Sequence, residues 1–204
     1  MIISIIDYGA GNATNVKNAL EKIGMANMDA LISSRIPDWE SADAVIFPGV
    51  GSFGAAMKNL GKNATALRAI IESGKPFLGI CLGMQLLLEK SEESKGIDGL
   101  GVVKGNVKRF ADDLSVPQIG WNRVDVENEK CPLFDGLKSP YAYFVHSYYC
   151  NPIDKSFIAT TTKYGVRFAS ALWKDNLYAT QFHPEKSGKD GLQMLGNFVK
   201  EVRK

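Results

Sequence analysis

The sequence predicts an α/β fold built on a parallel, doubly wound sheet with helices on both faces. In the first half of the chain, short apolar runs alternate with segments of about ten residues whose apolar positions recur at helical spacing. Three of the apolar runs end in glycine-bearing turns, at residues 7–12, 48–51 and 79–83. Because such sheets bind ligands beyond the carboxyl ends of their strands, these turns mark one functional edge.

The first half supplies the predicted parallel strands and their helices. The strands are the short apolar runs at residues 2–6, 28–32, 44–47 and 76–80. The helices follow apolar residues at helical spacing: Val16, Ala19, Leu20 and Ile23 before Gly24, then Ala56, Met57 and Leu60, then Leu67, Ile70 and Ile71 before Gly74. We expect residues 84–88 to be helical and residues 89–95 to be a solvated helix end and loop.

The second half predicts a different arrangement. Strand-like runs lie at residues 102–107, 141–145, 157–162, 171–173 and 177–181, with Asp175-Asn176 as a tight hairpin turn between the last two. We expect these strands to be antiparallel additions to the sheet. Apolar residues at helical spacing then mark a closing amphipathic helix: Leu192, Leu195, Val199 and Val202. With no repeat or linker visible, residues 1–204 are expected to form one domain.

Composition excludes several classes of function. The chain has 204 residues, 45% of them hydrophobic and 23% charged, which is ordinary for a globular protein. A net charge of +2 gives no indication of nucleic acid as a partner. The apolar start is too short for a signal peptide or a membrane span. Three cysteines without a C-x-x-C pair argue against a disulfide framework and a structural zinc site, so we expect a reducing cytoplasm.

The most informative stretch is Gly79-Ile80-Cys81-Leu82-Gly83. A Gly-x-nucleophile-x-Gly sequence between a strand and a helix is a nucleophile elbow, here with cysteine as the reactive residue. The following helix N-terminus favours the thiolate form. A free cysteine is more often a small buried apolar residue, and Cys131 and Cys150, which lack such a context, keep that interpretation.

A general base is expected at His183, in the sequence His183-Pro184-Glu185 after an apolar strand. Glu185 is close enough in sequence to orient the imidazole as the third member of a triad. His146 is the other histidine, but no neighbour in its sequence could orient it so directly. The glycines of residues 48–51 let backbone N–H groups approach a ligand and line an oxyanion hole.

Two phosphate-binding interpretations fail. The first glycine-bearing turn is not G-x-G-x-x-G, because Thr14 stands at the third glycine, and no acidic residue stands where a ribose-binding one would. No lysine follows a Walker-type loop either.

These motifs together resemble the class I glutamine amidotransferases over nearly the whole chain. The motifs are Asp7-Tyr8-Gly9-x-Gly11-Asn12, Pro48-Gly49-Val50-Gly51-x-Phe53-Gly54, Gly79-Ile80-Cys81-Leu82-Gly83-Met84-Gln85, Gly120-Trp121-Asn122, Tyr143-Phe144-Val145-His146-Ser147-Tyr148 and Gln181-Phe182-His183-Pro184-Glu185-Lys186. The cysteine elbow and His-Pro-Glu are shared across this family. Pro-Gly-Val-Gly and Gly-Trp-Asn are restricted to fewer members of the family. They resemble the motifs of its histidine-biosynthesis branch, the glutaminase subunits of imidazole glycerol phosphate synthase.

The resemblance implies a flavodoxin-like three-layer fold and a Cys-His-Glu triad that hydrolyses glutamine without a cofactor or a metal. Cys81 is expected to be the nucleophile, His183 the acid and base, and Glu185 the group that orients His183. The oxyanion is expected to bind backbone N–H groups of Leu82 and of Val50 or Gly51. The residues expected to bind the substrate are Gly49, Gln85, His146, Ser147 and Tyr148.

The resemblance also implies a heterodimer with a (β/α)8-barrel cyclase that receives ammonia through an internal path. That cyclase makes imidazole glycerol phosphate and an aminoimidazole carboxamide ribotide. Residues expected at or near the interface are Asn12, Gln118, Trp121, Tyr143 and Lys186. Neither nucleic acid nor a membrane is expected as a partner.

Two alternatives remain at this point. One is a different cysteine hydrolase on a flavodoxin-like sheet, such as a peptidase of that superfamily. The other is a non-catalytic subunit that keeps the fold and binds a partner. His-Pro-Glu at the end of the last strand argues against the first, and the intact Cys81, His183 and Glu185 argue against the second.

Overall fold

The computed structural model describes residues 1–9 and 12–204, so Gly11 of the first glycine-bearing motif lies outside the described residues. The strands are β1 (Ile2–Ile6), β2 (Asp29–Ser33), β3 (Ala44–Gly49), β4 (Phe77–Cys81), β5 (Leu88–Ser91), β6 (Val103–Arg109), β7 (Gln118–Arg123), β8 (Asp125–Val126), β9 (Tyr141–His146), β10 (Tyr148–Pro152), β11 (Ile158–Tyr164), β12 (Val166–Lys174) and β13 (Leu177–Thr180). The helices are α1 (Ala13–Ile23), α2 (Ile36–Ser41), α3 (Phe53–Leu60), α4 (Asn63–Glu72), α5 (Leu82–Gln85) and α6 (Gly188–Val202).

The main sheet has the strand order β2-β1-β3-β4-β13-β12-β10-β6-β5. Its central part, from β2 to β13, is parallel. Strands β12, β10 and β6 continue it antiparallel, and β11 and β8 pair beside β12. The predicted α/β class, a parallel central sheet with antiparallel C-terminal additions, is therefore confirmed. The four strands predicted in the first half lie within two residues of their expected bounds.

Both faces of the central strands β3 and β4 are buried, which explains why these strands are continuous apolar runs. Side chains alternate along each strand. On β3, Ile46 belongs to one core cluster with Leu20 of α1 and Phe198 of α6. Its neighbour Phe47 points to the opposite face and joins a second cluster with Leu67 of α4. The helices thus form layers on either side of the sheet.

The expectation of a helix over residues 84–88, with a helix end at residue 89 and beyond, is wrong, whereas residues 92–95 do form an exposed or half-buried turn as expected. Helix α5 ends at Gln85, and β5 begins at Leu88 and pairs parallel with β6. Leu86, Leu87 and Leu88 are all fully buried. An apolar run buried on every side shows no helical period, so the pattern cannot tell a strand from a helix.

Two further strand expectations need correction. Strand β9, predicted as an addition to the main sheet, instead pairs with β7 in a separate two-stranded sheet. Strand β13, also predicted as an antiparallel addition, is antiparallel to β12 but parallel to β4. Strand β7 was not predicted because its alternation is inverted: Gln118 is 4% exposed, whereas Ile119 and Trp121 are 64% and 57% exposed. The short elements α2, β8 and β10 were also not predicted.

The glycines of the elbow allow three elements to pack without intervening side chains. A Cβ atom on Gly83 would lie 1.9 Å from the carbonyl oxygen of Phe47 on β3. A Cβ atom on Gly79 would lie 2.9 Å from the carbonyl oxygen of Gly83. Helix α5 therefore rests directly on the backbones of β3 and β4. Within residues 1–9 and 12–204, no helix is long and apolar enough to cross a membrane.

We expect Gly83→Ala to destabilise the protein by at least about 3 kcal/mol, because the added methyl group meets fixed backbone. Gly196→Ala on α6 is the matched control, since its Cβ would lie 3.8 Å from Ile23 in ordinary contact. Alanine in an open helical position should stabilise the protein by about 0.5–1 kcal/mol. Urea unfolding followed by circular dichroism measures both changes. Equal stability of Gly83→Ala and the unmutated protein would contradict the close packing.

Candidate active site

A cavity of about 290 Å³ lies at the carboxyl ends of β3 and β4. It is lined by nine of the residues that the sequence assigned to catalysis, the oxyanion hole or substrate binding: Val50, Gly51, Cys81, Leu82, Gln85, His146, Ser147, Tyr148 and His183. Gly49, the remaining one expected to bind the substrate, pairs with Cys81 across β3 and β4. The parallel sheet thus brings together segments about a hundred residues apart, as the edge rule for such sheets predicts.

Cys81 has the backbone conformation of a nucleophile elbow. It is the last residue of β4 and precedes α5, with φ +54° and ψ −106°. A positive φ in a residue with a side chain is strained and persists only where surrounding packing enforces it. Here the close contact of α5 with β3 supplies that packing. The thiol is 6% exposed, so the cavity is its route to a substrate.

His183 and Glu185 form a buried pair. The Nδ1 atom of His183 lies 2.7 Å from Oε1 of Glu185, and the two side chains are 1% and 0% exposed. A short 3₁₀ turn at Pro184–Lys186 holds them together. With Nδ1 bonded to the carboxylate, Nε2 is the nitrogen left for chemistry, and it has no hydrogen-bond partner among the described residues.

The two histidines of the chain have opposite electrostatics. Burial acts to lower the pKa of His183, but the nearby sulfur of Cys81 and the hydrogen bond and charge of Glu185 outweigh it and raise the pKa to about 10. Burial lowers the pKa of His146 to about 4, against a hydrogen bond to the backbone of Tyr148 that acts to raise it. His183 therefore carries a proton near neutral pH, whereas His146 is neutral.

Both ring nitrogens of His146 are occupied by contacts within the site. Its Nδ1 donates to the carbonyl oxygen of Tyr148 at 2.7 Å, and its Nε2 lies 3.1 Å from the side-chain carboxamide of Gln118. These contacts hold the corner between β9 and β10. The geometry thus favours His183 over His146 as the base.

Gln85 connects the elbow to the same corner. Its Nε2 donates to the carbonyl oxygen of Tyr148 at 3.0 Å and to Oε1 of Gln181 at 3.1 Å. Gln181 in turn lies with its Nε2 3.6 Å from the sulfur of Cys81. The sequence assigned no role to Gln181, although it lies in the same motif as His183 and Glu185.

The loop after β3 lies beside Cys81. Gly51 has φ +98°, a conformation that a residue with a side chain rarely adopts. Val50 is 36% exposed and lines the cavity with Gly51. The backbone N–H groups of this loop and of Leu82 are therefore the candidates for an oxyanion hole.

Asn12, expected at the partner interface, contacts the carboxylate of Glu185. Its Nδ2 donates to Oε1 of Glu185, and its Oδ1 accepts from Nδ2 of Asn15. The two residues of the first contact are 173 positions apart, so nothing in their spacing could have revealed it.

Three of the residues expected at the partner interface form a surface cluster beside the site. Trp121 and Tyr143 pair across β7 and β9, with ring centroids 6.3 Å apart. The ammonium group of the exposed Lys186 lies 5.9 Å from the centre of the Tyr143 ring. Gln118 is buried and contacts His146, so its side chain does not belong to this surface. Among the residues the structure describes, no cluster of three or more histidine, cysteine or carboxylate side chains could hold a metal ion.

Comparisons with known proteins agree with this geometry. The sequence model described as "Glutamine amidotransferase class-I" matches residues 4–202. A protein of Methanocaldococcus jannaschii named imidazole glycerol phosphate synthase subunit HisH is 48% identical over 97% of this chain and 98% of its own length. The protein of the same name from Pyrococcus furiosus is 48% identical over 96% and 97%.

Solved structures show the same fold at lower identity. A crystal structure titled glutamine amidotransferase has a TM-score of 0.77 at 19% identity, over all of both chains. The structure of PurLQS from Thermotoga maritima has a TM-score of 0.76 at 19% identity, over 98% of each chain. The family match over residues 4–202 sets aside the peptidase alternative, and this chain belongs to the class I glutamine amidotransferase family.

Proposed function

We propose that this chain is the glutaminase subunit of an imidazole glycerol phosphate synthase, which hydrolyses glutamine and passes the ammonia to a cyclase subunit for histidine biosynthesis. The observation that carries the chemistry is the meeting of a strained Cys81 and a buried His183–Glu185 pair at one cavity. The relatives at 48% identity that bear the synthase name support the assignment to histidine biosynthesis.

In the first step, the Cys81 thiolate attacks the side-chain carboxamide carbon of glutamine, and negative charge develops on its oxygen. Backbone N–H groups of Leu82 and of Val50 or Gly51 bind this oxygen. His183 donates its Nε2 proton to the leaving nitrogen, so that ammonia departs and a glutamyl thioester remains. Glu185 holds the ring through Nδ1 while Nε2 transfers the proton.

In the second step, water attacks the thioester carbon. The neutral His183 accepts a proton from the water, the carbon–sulfur bond breaks, and glutamate leaves the regenerated thiolate. Gln85 and the backbone of Ser147 and Tyr148 hold the amino and carboxylate ends of the substrate. Gly49 lies across from Cys81, and His146 holds the carbonyl of Tyr148 in place.

The cyclase is a (β/α)8 barrel in this proposal, and it docks on the outer face of the sheet formed by β7 and β9. Ile119, Trp121 and Tyr141 expose large apolar side chains on this face. The face adjoins the triad, since the backbone N–H of His183 donates to the carbonyl of Tyr143 at 3.0 Å. Ammonia released into water would be protonated near neutral pH and unreactive, so direct transfer across a closed interface has a chemical reason.

We further propose that residues 1–204 act as one glutaminase domain in the cytoplasm, without a cofactor and without nucleic acid as a partner. The three cysteines are free thiols, which suits a reducing compartment.

Cys81→Ala tests the proposed nucleophile. With the cyclase and its nucleotide substrate present, this variant should lose glutamine-dependent synthesis by at least about 1000-fold, because no thioester can form. Synthesis from added ammonium chloride should continue at the rate of the unmutated complex. Enzyme assays with each nitrogen source measure the two rates. If both activities disappear, Cys81 is needed for assembly and the proposed role fails.

The histidine pKa values can be read by NMR, because the chain holds only His146 and His183. We expect His183 to stay protonated until near pH 10 and His146 to stay neutral down to near pH 4. His183 thus contributes stability that is complete below its ordinary value of 6.5 and is lost as the pH rises through 10. Cys81→Ala should lower the pKa of His183. An unchanged value would contradict the proposed coupling with the thiolate.

Trp121→Ala tests the docking face. It should weaken binding of the cyclase by about 30-fold, because a large exposed aromatic side chain at the centre of an interface is often a hot spot. Ile153→Ala is the control, since Ile153 is 70% exposed and lies outside β7 and β9. Calorimetric titration with the cyclase measures both affinities. Equal effects of the two variants would place the interface elsewhere.

A further inference from the structure

A buried carboxamide lies against the candidate nucleophile. Gln181 follows β13 by one residue and is 0% exposed. Its Nε2 lies 3.6 Å from the sulfur of Cys81, within hydrogen-bond distance for sulfur. Among the described residues, Gln181 is the side chain whose N–H group donates to this sulfur. The roles proposed for the triad and for substrate binding do not require this contact.

The orientation of this carboxamide is set by a chain of contacts that begins at a backbone carbonyl. The oxygen of Tyr148 can only accept, so the amide group of Gln85 that meets it at 3.0 Å must present Nε2. The same Nε2 donates to Oε1 of Gln181 at 3.1 Å. With its oxygen occupied in this way, Gln181 directs its NH₂ group towards Cys81.

We propose that Gln181 is a further catalytic residue, whose Nε2–H group donates a hydrogen bond to the Cys81 thiolate. This rests on the proposed function, in which that thiolate is the nucleophile. A hydrogen bond to an ionised acceptor is stronger than one to a neutral acceptor and favours the ionised form. The donor therefore stabilises the thiolate before attack, and again as the sulfur leaves during hydrolysis of the thioester.

A neutral donor suits this position. Lysine or arginine beside the sulfur would also stabilise the thiolate, but its charge would oppose protonation of the nearby His183. Glutamine supplies the hydrogen bond without that opposing charge. If this residue only filled space, leucine or methionine would stabilise the fold better, because a buried carboxamide costs free energy unless its polar atoms are paired.

Substitution should leave the backbone in place. The backbone N–H of Gln181 donates to the carbonyl of Ser170 at 2.8 Å, independently of the side chain. We therefore choose Gln181→Leu, which removes the donor, and Gln181→Glu, which replaces it with an acceptor of nearly the same shape.

The test is the pH dependence of Cys81 alkylation by iodoacetamide, followed by mass spectrometry on the isolated chain and on its complex with the cyclase. Cys131 and Cys150 are each 1% exposed. Burial raises the pKa of Cys131 to about 12 and that of Cys150 further, so alkylation reports on Cys81. The alkylation midpoint should rise by about 1–2 pH units in Gln181→Leu, the size expected for a hydrogen bond to a charged group. It should rise at least as far in Gln181→Glu.

Asn197→Leu is the matched control. Asn197 is another buried carboxamide, on α6, and it donates to the backbone oxygens of Leu133 and Asp135 at 3.1 and 3.0 Å. The variant loses comparable hydrogen bonds away from the cavity and should not move the midpoint. An unchanged midpoint in a folded Gln181→Leu would overturn the proposal, and so would an equal shift in Asn197→Leu.

A measurement on the native side chain decides the matter if the Gln181 variants do not fold. The side-chain amide proton of Gln181 should resonate upfield in Cys81→Ala relative to the unmutated protein, because its acceptor is gone. Identical resonances would overturn the proposal. A failure of the glutaminase function itself is distinguishable, since it would appear as absent glutamine hydrolysis by the unmutated complex.

Discussion

The contact of helix α5 with the backbone of β3 is the constraint on which the site depends. Gly83 lies so close to the carbonyl of Phe47 that no Cβ atom fits between them. Because α5 begins directly after β4 and packs against β3, the chain turns sharply at Cys81, which takes a positive φ. The same contact places the elbow beside Gly49, at the start of the loop whose N–H groups are proposed to hold the oxyanion. One steric contact thus fixes the position of Cys81 relative to the backbone N–H groups that we propose for the oxyanion hole.

The two histidines of the site differ in charge near neutral pH. The buried carboxylate of Glu185 and the sulfur of Cys81 both act on His183, which stays protonated near neutral pH, while burial and the charge of His183 keep His146 neutral. The two histidines line the same cavity, and we propose different parts for them: His183 transfers protons, whereas His146 holds the carbonyl of Tyr148. Gln181 adds a neutral donor on the sulfur in our proposal. The backbone bond from His183 to Tyr143 joins this buried centre to the exposed sheet of β7 and β9.

The success and failure of sequence-based prediction follow from the range of the interactions involved. The alternation of strands and helices, the elbow and His-Pro-Glu are local patterns, and each has one structural interpretation that dominates. Strand β7 was missed because its polar Gln118 faces inward to meet His146, while Ile119 and Trp121 face outward. The inversion is caused by the buried His146 on one side of the strand and the exposed surface on the other, and neither can be read from the local sequence. The contact of Asn12 with Glu185 is equally invisible, since it joins the two ends of the chain.

The sequence by itself determined the class of fold, the cysteine elbow and the neighbouring His183 and Glu185, because these depend on backbone turns and spacings within a few residues. Through the resemblance, it also predicted the chemistry that we propose for those residues. Only the tertiary structure decided which side chains surround the nucleophile. Hydrogen bonds run from the carbonyl of Tyr148 through the carboxamides of Gln85 and Gln181 to the sulfur of Cys81. They join residues up to about a hundred positions apart in sequence, at three strand ends. These hydrogen bonds form because β4 and β13 are neighbours in the sheet and the β9–β10 corner lines the same cavity, and no local pattern encodes that arrangement.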